Sequence, residues 1–153
     1  MTRFAAPDPG FEQRVRESFS RLALMRTIGA RLMQIAPGEV DIDLPVRDDL
    51  TQQHGYVSAA IVTAIVDAAC GYAAMSLMPA GSGVVTVEYK VNFIAPARGE
   101  RLLAHGRVVK AGRALTVCTG DVHALSGGAP KAVATMLGTM AALQDIPEVP
   151  VRR

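Results

Sequence analysis

Gln52-Gln53-His54-Gly55-Tyr56-Val57-Ser58-Ala59-Ala60 runs without a break into Ile61-Val62-Thr63-Ala64-Ile65-Val66-Asp67-Ala68-Ala69-Cys70-Gly71-Tyr72-Ala73-Ala74-Met75. A polar, glycine-containing loop thus delivers the chain into a run that is apolar almost all the way round. Pro79 closes it, because proline cannot continue a helix. The pattern predicts a helix that starts near Ser58 and is buried on nearly every side. A lone carboxylate, Asp67, lies in its middle. Taking a carboxylate out of water is costly unless it is paired or has chemistry to do, so Asp67 is the first candidate for function.

Working outward from this helix, the flanking segments change period. Upstream, Phe11, Val15, Phe19 and Leu22 recur at helical spacing among Arg and Glu, which predicts an amphipathic helix over residues 11–25. Val40, Ile42, Leu44 and Val46 then alternate with Asp41 and Asp43, the period of a half-buried strand. Pro37-Gly38 is the turn that joins it to an earlier strand over residues 29–35. Downstream, Val85, Val87, Tyr89, Val91 and Phe93 are expected on one face of a strand, with Thr86, Glu88, Lys90 and Asn92 on the other. Residues 101–110, 113–125 and 132–143 complete four strands separated by Gly- and Pro-bearing turns. The fold class is therefore α+β, an antiparallel sheet with one apolar helix lying on it and a further N-terminal helix.

Composition narrows the function. The chain of 153 residues reads as one domain, with residues 1–10 and 147–153 loose at its ends. Half of it is hydrophobic, and the net charge of +2 comes with few aromatics and no block of like charge, which argues against nucleic acid as a partner. Arg14, Arg16 and Arg21 interrupt any apolar signal core near the N-terminus. Asp67 and the alanine content argue against a membrane span for the central helix. Cys70 and Cys118 lie in apolar runs with no metal-ligand spacing, as small core residues of a reducing, cytoplasmic compartment. No metal site or cofactor is expected.

The stretch QQHGYVSAAIVTAIVDAACGYAA resembles the PaaI-like acyl-CoA thioesterases of the hotdog fold, and so do VTVEYKVNFIAPARGE and GRALTVCTGDV. The likeness runs over residues 29–143. It implies a sheet wrapped around one long central helix, an acyl-CoA substrate and a homo-oligomer, either a dimer or a dimer of dimers. Members carry an amide residue, a Gly, then His-Gly-Gly at the helix start and an Asp nine residues after that His. Here Gln52 or Gln53 stands for the amide, Gly55 for the loop Gly and Asp67 for the Asp, while Ser58-Ala59-Ala60 fills the His-Gly-Gly slot. His54 lies four residues outside it.

Helix geometry adds an independent constraint. Nine residues turn about 900° and rise about 13.5 Å, so Ser58 and Asp67 face opposite sides of one helix. A single helix cannot put both on one thioester, whereas two copies about a two-fold axis can, if the start of one helix meets the middle of the other. In such a site Asp67 is the nucleophile or the general base that aligns water. The resemblance gives the backbone N–H of Ala59 to the thioester carbonyl as an oxyanion hole, with the Gln52 or Gln53 amide as a second donor. It also places Thr86 beside the carboxylate. Thr63, one turn before Asp67, shares its face and has a hydroxyl for it. His54, Gly55, Ser58 and Ala60 border the acyl group, and Arg113 is one of several turn cations, with Arg98, Arg101 and Lys110, that suit coenzyme A phosphates.

Each residue also has a purely structural explanation. Ser58 is a natural helix N-cap, Thr86 an ordinary strand hydroxyl, and the arginines solvated turn residues. A hydratase is disfavoured because no His follows Asp67 on the helix. An acyl-CoA-binding protein with weakened catalysis is the alternative that Ser58 favours.

Overall fold

The computed structural model describes residues 4–150. In order, the chain forms α1 (Phe11–Arg21), α2 (Ala23–Ile28), β1 (Arg31–Ala36), β2 (Glu39–Pro45), α3 (Ala59–Met75), β3 (Gly83–Phe93), β4 (Arg101–Ala111), β5 (Leu115–Leu125) and β6 (Lys131–Leu143). The six strands make one antiparallel sheet in the order β1-β2-β4-β5-β6-β3, and α3 lies in its concave face. This is the wrapped helix that the resemblance implies. Among the described residues no helix is long and apolar enough to cross a membrane.

Side chains from the alternating strands close on the buried side of α3. Ile42, Leu44, Leu102, Ala104, Val122 and Met140 are fully buried against Val62, Ile65, Val66 and Ala69. Two glycines let the helix approach the sheet. Gly106 and Gly120 are paired across β4 and β5. A Cβ at Gly106 would stand 2.3 Å from the backbone of Ala69, and one at Gly120 2.5 Å from Val66. Neither strand could carry a side chain there without moving the helix.

The expected helix over residues 11–25 is broken. Leu22 is extended, with φ −73° and ψ 96°, and separates α1 from α2. The bend sends two sets of side chains into the core, Val15 from α1 and Met25 and Ile28 from α2. Gly29, at φ 79°, ends α2 in the left-handed conformation that favours glycine. The segment before α1, expected to be loose, is tied down. Asp8 accepts from the Gly10 N–H at 2.8 Å and pairs with Arg14, which donates in turn to the Met78 carbonyl at 2.8 Å, just beyond the end of α3. Residues 1–3 and 151–153, also expected to be loose, lie outside the described residues.

Two departures concern the helix and the edge strand. The central helix is not covered on every side: Ala59 and Ala60 are exposed, and Thr63, Ala64, Asp67 and Ala68 are half-buried. Strand β3, at one end of the sheet, leaves Val85, Val87, Tyr89 and Phe93 between 44% and 56% exposed. A long apolar edge beside an open stripe of small helical residues is a surface that stable proteins normally cover.

On the outer face of the sheet, His105 of β4 bonds Asp41 of β2 through Nδ1. The hydrogen bond to Asp41 holds the His105 pKa above its ordinary value of 6.5. A raised histidine pKa gives stability that is fully present below about pH 6.5 and is lost as pH rises through the folded pKa. Thermal melts between about pH 5 and pH 9 should show that loss in the native chain, and His105→Gln should flatten it. Equal slopes for the two proteins would mean that the pair is neutral in its effect.

Candidate active site

Asp67 occupies the middle of the open stripe of α3, and the edge strand supplies its partner. Thr86 Oγ1 donates to Asp67 Oδ1 at 2.7 Å. Burial pushes the Asp67 carboxyl up, and the Thr86 hydrogen bond pulls the other way. A β-bulge makes this contact possible. Between Thr86 and Glu88 the β3–β6 register slips by one residue, so that Thr86 pairs with Met140 and Glu88 with Thr139. The extra residue, Val87, turns one part of the strand over relative to the other. Thr86 therefore faces the helix together with Tyr89, Val91 and Phe93, and the expected uninterrupted alternation is corrected.

Thr63 does not serve the carboxylate. Its hydroxyl donates to the Ala59 carbonyl one turn back, at 2.8 Å. Threonine hydroxyls inside helices commonly find that acceptor, because the carbonyl four residues earlier lies within reach of Oγ1.

At the helix start, Ser58 is extended and caps the first turn: its Oγ accepts from the Ala60 N–H at 3.4 Å. The Ser58 N–H is fixed to the Leu50 carbonyl at 2.9 Å. Among the described residues the Ala59 N–H meets no acceptor, as befits the first residue of a helix. The preceding loop is a closed turn in which the Gly55 N–H reaches the Gln52 carbonyl at 2.9 Å, with Gly55 at φ 80°. Gln52 Oε1 accepts the His54 N–H. Gln52 lines a cleft of about 460 Å³ together with Tyr56, Ala59 and Phe93. Gln53, His54 and Gly55 are exposed and lie outside the lining of this cleft and of the two described below. Of the two glutamines, the geometry favours Gln52.

A shallow cleft of about 450 Å³ runs along the open stripe, with Ala59, Ala60, Thr63 and Asp67 on one wall and Tyr89, Val91 and Phe93 on the other. Another, of about 420 Å³, starts at Asp67 and Thr86 and passes under α1, lined by Gly71, Tyr72 and Val84. Sequence reasoning missed these last three residues, although Gly71 stands one turn beyond Asp67 and that spacing would have found it. Ala59 and Asp67 are eight residues apart, about 12 Å along the axis, so one chain cannot present both to one carbonyl. Arg113 is exposed in the β4–β5 turn. The pairing of Leu115 with Ala141, and of Ala141 with Val85, puts that turn at the Thr86 end of the sheet, away from the helix start. Arg101 is engaged with buried Asp43 at 2.7 Å. Among the described residues no group of three or more His, Cys, Asp or Glu side chains could hold a metal ion.

Comparisons with known proteins agree with this architecture. The sequence profile of the thioesterase superfamily matches residues 54–131. A crystal structure of a thioesterase family protein from Silicibacter pomeroyi superposes with a TM-score of 0.87 at 49% identity, covering 88% of this chain and 99% of that one. The E. coli PaaI protein from the phenylacetic acid degradation operon shares the fold, with a TM-score of 0.76 at 18% identity over 87% of this chain and 93% of that one. A curated Halobacterium salinarum protein with a provisional esterase name is 29% identical over 99 residues, 61% of this chain and 65% of that protein. The match spans just under two thirds of the length of the curated relatives, 65% and 66%. The profile match over more than half of the sequence, together with the Silicibacter likeness over nearly all of that protein, establishes that the chain belongs to the thioesterase superfamily.

Proposed function

We propose that the protein hydrolyses an acyl-CoA thioester to a free acid and coenzyme A, in a site shared by two copies of the chain. The observation that carries this reading is the pair formed by Asp67 and Thr86, lying open on a helix whose own start has an unpartnered Ala59 N–H. Ionised Asp67 attacks the thioester carbonyl or takes a proton from the water that does. Thr86 holds the carboxylate in place. The carbonyl oxygen gains negative charge as the tetrahedral centre forms. The Ala59 N–H of the other copy, at the positive end of its helix, stabilises that charge, with the Gln52 amide as the second donor. If Asp67 attacks, the carbon–sulfur bond breaks to leave a mixed anhydride on Asp67, which water then hydrolyses to the free acid; if it acts as base, water adds directly and the tetrahedral centre expels the thiolate. In either course a proton from that water, passed through the Asp67 carboxyl, converts the thiolate to the coenzyme A thiol and returns Asp67 to its ionised form. Arg113 is a phosphate contact for the nucleotide of coenzyme A. Pairing of β3 edges would cover Val85, Val87, Tyr89 and Phe93 and bring the two open helical stripes together.

A mixed-dimer experiment tests the shared site. Ala59→Pro deletes the N–H and leaves the helix intact, since proline is well tolerated at the first helical position. Ser58, at φ −56° and ψ 138°, already has the backbone that precedes a proline. Alone, Ala59→Pro and Asp67→Asn should both be nearly inactive. Co-expressed, they form dimers in which one site keeps both native groups, and activity should return. No recovery would place the chemistry within a single chain, and a fully active monomer at micromolar concentration would end the dimer proposal. The alternative, an acyl-CoA binder with weakened catalysis, draws on Ser58, which caps the helix where the resembling enzymes carry His.

A further inference from the structure

No close contact within this chain requires glycine at position 71. Gly71 sits in the interior of α3, four residues after Asp67, where glycine is a poorer helix former than alanine. Its φ is not positive, so no turn requires it. The contrast with the glycines beneath the helix is sharp. A Cβ at Gly106 or Gly120 collides with α3, whereas one at Gly71 meets nothing within 4 Å. Yet Gly71 is buried. The empty space at its Cα belongs to the cleft of about 420 Å³ lined by Asp67, Thr86, Leu22 and Tyr72, with residues 146–149 and the Arg21–Glu148 ion pair on its border.

From these observations we infer that Gly71 sets the size of the acyl group: the chain beyond the carbonyl passes over its bare Cα into the cleft under α1. The inference rests on the thioesterase reading above. One helical turn separates Gly71 from Asp67, about 6 Å along the axis, which is the length of roughly four carbon–carbon bonds. A side chain at position 71 therefore blocks the cleft at about that distance from the reacting carbonyl. An acetyl group ends before the block and an octanoyl or phenylacetyl group does not. The substrate class is an apolar acyl group well beyond acetyl, and the helix keeps glycine to admit it.

The test compares the full-length native protein with Gly71→Ala and Gly71→Leu on acetyl-, octanoyl- and phenylacetyl-CoA. The readout is the ratio of kcat/KM for each larger substrate to that for acetyl-CoA. This ratio should exceed one in the native protein and fall in Gly71→Leu by roughly tenfold or more, with Gly71→Ala between the two. A larger loss on octanoyl than on phenylacetyl would identify a straight chain as the fit, and the reverse an aryl group. Melting temperatures show that the variants are folded, and Gly71→Ala should melt no lower than the native protein. Titration calorimetry with octanoyl- and acetyl-CoA separates the two readings. If octanoyl-CoA binds in preference to acetyl-CoA, is not cleaved, and loses that preference in Gly71→Leu, the role of Gly71 stands and the catalytic reading falls. If cleavage proceeds and the ratio is the same in all three proteins, the role of Gly71 is overturned and the thioesterase reading stands. If the native protein neither binds nor cleaves the larger thioesters, both are overturned.

Discussion

Asp67→Asn is expected to lower thioester hydrolysis by about 10²–10⁴-fold and, at neutral pH, to raise the melting temperature. The first effect follows from the chemistry. Asparagine keeps the shape of the side chain and can still accept the Thr86 hydrogen bond, but it neither attacks a carbonyl nor takes a proton. The second follows from linkage. Burial holds the Asp67 carboxyl above its ordinary value of 3.8, with Thr86 as the opposing influence. A carboxyl whose folded pKa is raised contributes stability below the unfolded value and loses it as pH climbs through the folded one. Ionised Asp67 is then a net cost to the fold at neutral pH, of the kind found where stability is given up for function. The same shift predicts an acid limb in the native pH–rate profile with its midpoint above 3.8, reporting protonation of Asp67. Thermal melts and steady-state rates of the two proteins check both effects, and binding of an unreactive acyl-CoA analogue should survive the substitution. Normal turnover by Asp67→Asn would remove Asp67 from the mechanism.

Much of this site was legible in the sequence, because its ingredients are local. A carboxylate inside an Ala-rich helix, a serine at the cap position and a glycine in the preceding turn are all written in consecutive residues. The strands were legible for a related reason: residues 40–46 and 85–93 alternate with period two, and turns bearing Gly or Pro separate the rest. What escaped depends on neighbours distant in sequence. Val85-Thr86-Val87-Glu88-Tyr89 alternates without any visible interruption. The bulge at Val87 arises only where β3 registers against β6, and it turns Thr86 from the outer face onto Asp67. The hydroxyl of Thr63 shared a helical face with Asp67 but had a nearer acceptor in its own backbone. The alanines of α3 read as buried on every side because alanine suits a covered and a half-open surface equally. Only the placement of the sheet shows which stripe is open. Gly106 and Gly120 looked like unrelated strand glycines until pairing set them side by side beneath the helix.

Ser58→His is expected to raise kcat, by as much as about 10²-fold, with a smaller change in KM. Position 58 is where this chain departs from the His-Gly-Gly pattern of the thioesterases it resembles. The serine holds the helix start by a single long bond, from the Ala60 N–H at 3.4 Å, and the loop before it closes largely on itself through Gln52, Gly55 and Tyr56. Among the described residues the Ser58 side chain bonds only the Ala60 N–H, within the helix, and not that loop. A histidine ring has two nitrogens and enough length to tie the Gln52 turn to the first helical turn. It would fix the amide donor relative to the Ala59 N–H, which the substitution itself leaves in place. Better positioning of two donors acts on the transition state more than on the bound substrate, so kcat should move before KM. The exchange also removes an N-cap that is typically worth about 1 kcal/mol. The variant should therefore melt lower than the native protein even as it turns over faster. Kinetics on the best acyl-CoA substrate, paired with a thermal melt, read the two signs together. A faster and less stable enzyme identifies Ser58 as a position where catalytic positioning has been relaxed in favour of a good cap. An unchanged or abolished rate would mean that the helix start is fitted around the smaller side chain, and the reading of the protein as a weakened enzyme would lose its main support.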